Sequence, residues 1–311
     1  MKMKEVIFPK KIKNKATIAV VTPAGAIEKG QLDTTLVFLK KQGFKIVLGE
    51  HVYAQKDKGY IYGGTEKQRL KDLQWALDGD FDVIWTTRGG YGCAHLLQQL
   101  DLKKFKKKPK FFIGYSDVTV LQSLLLKSGF GSVHGQSIKM PSSGVSRASY
   151  EMIIDVLKGE KPTYTLSANQ RNKKGWVKGQ LVGGNLAMIY SLMGTEYQFD
   201  FADKVLFIED IGENFYALDR MLMNLELAGV FKKIKGLIVG GMTQMGNEKN
   251  NKNYLQPFDA TAYDLIAERL EKYDFPMAFG MSNGHIFDNF PLLLGAEVQL
   301  EVKKKVKISF K

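Results

Sequence analysis

Short apolar runs of strand length alternate with helical stripes through the first half of this 311-residue chain, and that alternation restricts the fold more than any other feature. Thr17–Thr22 is a β-rich run ended by Pro23, Ala24 and Gly25. Leu32, Leu36 and Leu39 then recur at helical spacing within Leu32–Gln42. Phe44–Leu48 reads as strand, and Glu66–Asp78 reads as helix with Leu70, Leu73 and Leu77 on one stripe. Asp82–Thr86 and Phe111–Ile113 read as further strands, the second leading through a turn into a helix over Leu121–Leu126. This succession predicts an α/β layer with a largely parallel sheet. Ligands of such sheets gather at the carboxyl ends of the strands, where Thr86–Gly92 and Gly114–Asp117 fall.

The pattern changes between Ser142 and Lys178. Helix-compatible residues at Tyr150–Leu157 give way to SANQRNKKG, a polar stretch without apolar period. We read residues 142–178 as a connection between a first domain, 1–141, and a second, 179–311; a chain of this length supports two cores. The second half predicts helices over Asn185–Met193, Leu218–Ala228 and Ala260–Leu270. Strands are predicted over Val205–Ile208 and Gly236–Val239, with a strand-rich end at Ala296–Phe310.

Composition removes several classes. Nothing approaches 18 consecutive apolar residues, so no membrane insertion is expected. Val6–Phe8 is too short an apolar run for a secretory signal, and the single cysteine, Cys93, excludes an internal disulfide framework. Both suggest the cytoplasm. The formal charge of +13 comes from lysines in local runs, Lys10–Lys15, Lys103–Lys110 and Lys303–Lys307. These lack the interleaved aromatic platforms of single-strand binders, so a solvated basic surface is expected, with no nucleic-acid partner. With no H-E-x-x-H and four scattered histidines, no metal or other cofactor is expected.

The most informative segment is FFIGYSDVTVLQSLLL, Phe111–Leu126. A serine on a tight strand-to-helix turn stands above the sheet, and the helix N-terminus stabilises a developing anion. Ser116 is therefore a candidate nucleophile; the competing reading is that Ser116 or Asp117 merely caps the helix. The usual G-x-S-x-G elbow is absent, because Val118 occupies the second glycine position. In TTRGGYG, Gly89 and Gly90 allow close backbone approach and can supply half of an oxyanion hole, or simply a turn of positive φ. Arg88 can hold a substrate carboxylate or lie on the surface. His51, His95, His134 and His285 are the available bases, with His285 in MSNGHIFDNFP and His134 in SVHGQS. Chain arithmetic does not choose between them. Glu209 and Asp210 end an apolar strand on opposite faces; Glu213 and Asp219 also read as helix and surface charges.

Together these motifs resemble the L,D-carboxypeptidases, or muramoyltetrapeptide carboxypeptidases, a serine peptidase group that includes the microcin C immunity proteins. TPAG at Thr22, TTRGGYG, GYSD, GQLVGGNL at Gly179, LFIEDIGENFYALDRML at Leu206 and SNGHIFDNFPLLLG at Ser282 follow the family's order and spacing. The resemblance implies a catalytic Ser116, Glu209 and His285, with the backbone N–H groups of Gly90 and Asp117 as oxyanion hole. Arg88 and Gly89 fall to substrate binding. It further implies an N-terminal α/β domain carrying the nucleophile and a C-terminal, β-rich, barrel-like domain with helices carrying the acid and base. A homodimer without metal is implied, as is hydrolysis of terminal D-alanine from murein tetrapeptides during cytoplasmic peptidoglycan recycling. Ala24 and Ile286 depart from the family's usual serine and glycine, and Phe290-Pro291-Leu292 varies its Leu-Pro pair. The alternative within the resemblance is an immunity-type hydrolase of a peptidyl or aminoacyl nucleotide.

Overall fold

The computed structural model describes residues 6–12, 15–140 and 144–311. The expected edge between first domain and connection, at residues 141 and 142, lies outside them, as do Lys13 and Asn14 of the first lysine run.

The first sheet starts with β1 (Thr17–Val21), followed by α1 (Asp33–Lys41) and β2 (Lys45–Leu48). A short hairpin, β3 (Lys56–Asp57) and β4 (Ile61–Tyr62), precedes α2 (Glu66–Asp78). Next come β5 (Val83–Thr86), α3 (Lys103–Lys107), β6 (Phe111–Gly114), α4 (Thr119–Lys127) and β7 (Ser132–His134). The strands lie side by side as β2-β1-β5-β6-β7, all parallel. β5 and β6 are buried at every residue, which explains their unbroken apolar sequences VIWT and FFIG: a parallel sheet is covered on both faces. α2 starts with a capping box in which Thr65 and Gln68 satisfy each other's backbone N–H. Chain direction across the sheet reverses between β1 and β5, and the crevice at such a switch point is the usual ligand site. The turns after these two strands meet there, with Gly25 N–H donating to the Gly89 carbonyl at 3.2 Å.

The second sheet follows α5 (Arg147–Leu157). It begins with β8 (Thr163–Leu166), β9 (Gly175–Asn185), α6 (Leu186–Leu192) and β10 (Lys204–Ile211). α7 (Phe215–Leu227), α8 (Val230–Lys233), β11 (Gly236–Thr243), α9 (Ala260–Leu270) and β12 (Met277–Phe279) come next. The chain ends in β13 (Leu292–Leu294), β14 (Glu297–Val302) and β15 (Val306–Phe310). The order is β12-β11-β10-β9-β14-β15-β8, parallel from β12 to β9 and antiparallel beyond. A single antiparallel bridge between Lys173 and Met277 turns the β12 edge toward the β8–β9 connection.

Several strands have no counterpart in the sequence pattern: β3, β4, β7, β8 and β12, all of four residues or fewer, and β9 and β13. β9 is an 11-residue strand that includes GQLVGGN, whose glycines dilute any β signal. β13 leaves the second sheet and pairs antiparallel with β7 of the first, Leu292 opposite His134. Three consecutive leucines carry no period, so only the free edge of β7 decides that they form a strand. One apolar cluster joins the sheets, with Trp85, Ile113 and Val133 from the first, Phe207, Ile238 and Leu300 from the second, and Leu292 and Leu294 between them. Both sheets therefore share one rigid seam.

Phe207, fully buried in that seam, provides a test. Phe207→Ala should cost about 3–5 kcal/mol in urea unfolding monitored by circular dichroism. Leu255→Ala, at a residue 76% exposed, should stay within about 0.5 kcal/mol of the parent.

Candidate active site

Ser116 opens a 3₁₀ turn, Ser116–Val118, between the end of β6 and the start of α4. Its φ is +65°, a left-handed conformation that costs a residue with a side chain roughly 1–2 kcal/mol. Such strain persists where surrounding structure enforces it, commonly at functional sites. The first N–H groups of a helical turn have no partner within it, and that of Asp117 is among them. Gly89 packs directly on the serine: a methyl group there would stand 2.6 Å from Ser116 Cβ and 2.7 Å from Oγ. Only glycine permits that approach.

The Asp117 carboxylate turns away from the pocket, where its Oδ2 accepts the Cys93 N–H at 2.8 Å. Its side chain thus ties the serine turn to the end of the glycine-rich loop. Burial pushes the Asp117 carboxyl up. Burial and then Asp117 push the Cys93 thiol up, so the lone cysteine stays protonated and is no rival nucleophile.

His285 comes from the loop before β13, and Glu209 from β10. Ser116 Oγ lies 3.1 Å from His285 Nε2, and Glu209 Oε2 lies 2.8 Å from Nδ1. Glu209 only accepts, so Nδ1 carries the ring hydrogen and Nε2 presents its lone pair to the serine hydroxyl. The register of β10 against β11 shifts between Ile208 and Asp210, and such a bulge re-aims the residue within it. Gly284 completes the fit, since a methyl group at that residue would meet Glu209 Oε2 at 2.7 Å.

Burial alone would raise the Glu209 carboxyl, but attraction to His285 and the hydrogen bond between them hold it below its ordinary value. Burial alone would lower His285, whereas Glu209 and, more weakly, Asp210 hold it above the ordinary histidine value. The Tyr115 ring packs on His285 with centroids 4.8 Å apart.

Asp210 does different work from Glu209. It accepts from Asn185 Nδ2 at 2.9 Å, from Ala187 N–H at 3.0 Å and from Ile211 N–H at 2.8 Å, holding the start of α6. Burial and the neighbouring Glu209 push it up to about 7. His134 is fully buried on β7, and its Nδ1 bonds to Asn283 Oδ1 at 2.9 Å. Asn283 Nδ2 donates to the carbonyls of His134 and Phe290, so Oδ1 must be the acceptor and His134 the donor. Burial lowers His134 to about 4, leaving it a neutral strut behind the site.

The sequence reading overlooked this support. Asn289 donates to Gln136 Oε1 at 3.1 Å and accepts from Gly284 N–H at 3.1 Å, while its own N–H donates to Ser149 Oγ at 3.0 Å. Two asparagines flanking His285 in a polar loop were the available signal, since asparagine side chains commonly fix their own loops. Ser116, His285, Arg88, Gly89 and Gly90 line one cavity of about 550 Å³, with Lys139 on the same wall. A second cavity, about 310 Å³, lies across Tyr115 and His285 and is walled by Ile211, Leu255, Pro257, Ile286 and Phe287. No cluster of three or more histidine, cysteine or acidic side chains able to hold a metal occurs among the described residues. The arrangement can carry a proton from a serine hydroxyl to an imidazole oriented by a buried carboxylate.

Residues 18–135 match the LD-carboxypeptidase N-terminal domain, and residues 178–300 match the LD-carboxypeptidase C-terminal domain. The murein tetrapeptide carboxypeptidase of Pseudomonas aeruginosa is 32% identical over 242 residues, 73% of this chain and 76% of that protein. The microcin C7 self-immunity protein of Escherichia coli is 27% identical over 322 residues, covering 91% of this chain and 89% of its own. The crystal structure of a muramoyltetrapeptide carboxypeptidase from Oxalobacter formigenes superposes with a TM-score of 0.82 at 26% identity, covering 94% of this chain and 98% of the other.

The charge arrangement has a direct spectroscopic test. In ring-nitrogen NMR titration, His285 should titrate above its reference of 6.5 and His134 near 4. Glu209→Gln removes the attraction and leaves burial, so the His285 value should fall below 6.5. A His285 midpoint unmoved by that substitution would break the proposed electrostatic link.

Proposed function

The chain belongs to the LD-carboxypeptidase family, and we propose that it is a serine L,D-carboxypeptidase releasing terminal D-alanine from murein tetrapeptides. The observation that carries this reading is the unbroken path from Glu209 through His285 to Ser116, opening on a cavity lined by Arg88, Gly89 and Gly90.

In this mechanism Ser116 Oγ attacks the scissile carbonyl while its proton passes to His285 Nε2. Glu209 keeps the ring in the required tautomer and stabilises the imidazolium. The N–H groups of Gly90 and Asp117 receive the developing oxyanion, a contribution that preorganised donors make without reorganisation. His285 then protonates the departing alanine nitrogen, and a water activated by the same imidazole hydrolyses the acyl-enzyme. Arg88 and Gly89 bind substrate.

The fuller reading takes the second sheet as the family's barrel-like element. It also takes the protein as a homodimer working in cytoplasmic peptidoglycan recycling. Tyr216, Met223 and Leu227 supply an exposed apolar stripe on α7 suited to self-association. No helix among the described residues is long and apolar enough to cross a membrane.

Incubation with muramoyl tetrapeptide and mass-spectrometric detection of D-alanine tests the reaction. Hydrolysis of an aminoacyl nucleotide without alanine release would move the assignment to the immunity branch. Ser116→Ala should lose at least about 10³-fold in turnover, and Glu209→Gln at least about 10²-fold, both melting normally. Asp210→Asn sets an amide against the Ala187 N–H, so it should melt lower while retaining turnover within about fivefold.

The base must be neutral to accept a proton, so the rate should fall as pH drops through the His285 pKa. Because that value is raised, the acid limb should lie above 6.5. A limb below 6.5 in the wild type would contradict His285 as the base.

A further inference from the structure

We propose that Lys139, paired with Arg88, forms a carboxylate subsite that holds the terminal carboxylate of the leaving residue. This rests on the carboxypeptidase reading and gives it a source of exopeptidase specificity. Lys139 sits beyond β7, in a segment pinned to the loop that carries Arg88. Ile138 N–H donates to the Thr86 carbonyl at 3.0 Å, and Lys139 N–H donates to that of Thr87 at 2.8 Å. The two cations thereby reach the cavity that contains Ser116 and His285, and they also line the adjoining cavity of about 450 Å³.

Neither cation has an acidic partner among the described residues. Among the described residues no carboxylate lies within 4.0 Å of Arg88 or Lys139. The one side-chain hydrogen bond Arg88 makes there runs from Nη1 to the Ala26 carbonyl at 3.2 Å, so most of its planar fork of donors is unused. Glu28 is the acid whose field Lys139 feels, and it acts only at longer range. Burial and then Arg88 hold the Lys139 ammonium below its ordinary value.

Lysines in the surface runs behave differently. Lys103, Lys104, Lys108 and Lys303 are exposed, and each has an acidic partner. Two half-buried like charges facing one cavity are unfavourable until an anion enters between them. A carboxylate fits, because its two oxygens can take the arginine fork and the ammonium together. In a terminal α-amino acid such as alanine the carboxyl carbon follows the scissile nitrogen by two bonds. The cations border Gly89, which touches Ser116, so they stand beside the bond to be broken. A chain continuing past that residue would replace the carboxylate with a neutral amide and leave both charges unmatched.

The test compares wild type, Lys139→Gln and Lys139→Arg on tetrapeptides ending in D-alanine or in D-alaninamide, with a third substrate amidated at the side-chain carboxyl of residue three. Wild type should prefer the free acid over the terminal amide by at least about 30-fold in kcat/KM, since an unmatched charge pair is costly. Lys139→Gln should lose about 10–100-fold on the acid, stay within about threefold on the amide, and melt normally. Lys139→Arg should recover most of the preference. Equal losses on acid and amide, or a loss that follows the residue-three carboxyl instead, would overturn the assignment.

A second arm needs no turnover. Ligand-observed NMR should show N-acetyl-D-alanine binding wild type at least about tenfold more tightly than N-acetyl-D-alaninamide, with the difference cut to about threefold or less in Lys139→Gln. If that difference is present but no tetrapeptide releases alanine, the subsite stands and the carboxypeptidase reading fails. If alanine is released without regard to the terminal carboxylate, the subsite fails and the reading stands.

Discussion

The hydrogen bond between Glu209 and His285 joins the second sheet to a loop that also grips the first, and the rest of the site depends on it. Glu209 is fully buried, and an isolated carboxylate in such a place would pay a large desolvation penalty. His285 offsets that penalty by donating its Nδ1 hydrogen, and the same donation leaves Nε2 free to face Ser116. Carboxylate burial and imidazole orientation are one arrangement. Removing His285 would leave the Glu209 charge buried without its donor, at a cost that exceeds the worth of the bond itself.

Such a bond requires the seam between the sheets to be fixed within a fraction of an ångström. β13 supplies part of that rigidity by crossing to pair with β7 immediately after the His285 loop. Asn283 and Asn289 supply the rest, bonding His134 and Gln136 at the end of β7 and Ser149 on α5. The loop is irregular in backbone yet held at both ends by groups from the opposite sheet. His134 serves here because it stays neutral; a protonated ring beside Glu209 would compete with His285 for the same carboxylate.

Strain and glycine act together at Ser116. The left-handed backbone of Ser116 lifts Oγ above the strand ends, and Gly89 lets the neighbouring loop close on it. Asp117 locks the two turns through the Cys93 N–H. The cavity that results lies at the β1–β5 switch point, where parallel-sheet geometry leaves a crevice.

Much of this was legible in the chain. Apolar runs such as VIWT and FFIG set the parallel strands, because a strand covered on both faces has no polar alternation. GYSD and the paired glycines stood out as turns at strand ends, since local backbone geometry demands those residue types. Four histidines and two adjacent acids, by contrast, had equal standing by composition, and only a family resemblance ranked them. The tertiary structure separated them physically: Glu209 meets an imidazole and Asp210 holds a helix start, while His134 is sealed in the seam and His285 faces the serine. β9 and β13 were likewise invisible, one diluted by glycine and one too short for a period. Local preference governs a residue's own backbone and is written in its neighbours. Which side chain reaches which partner 76 or 169 residues away is decided by how the two sheets pack.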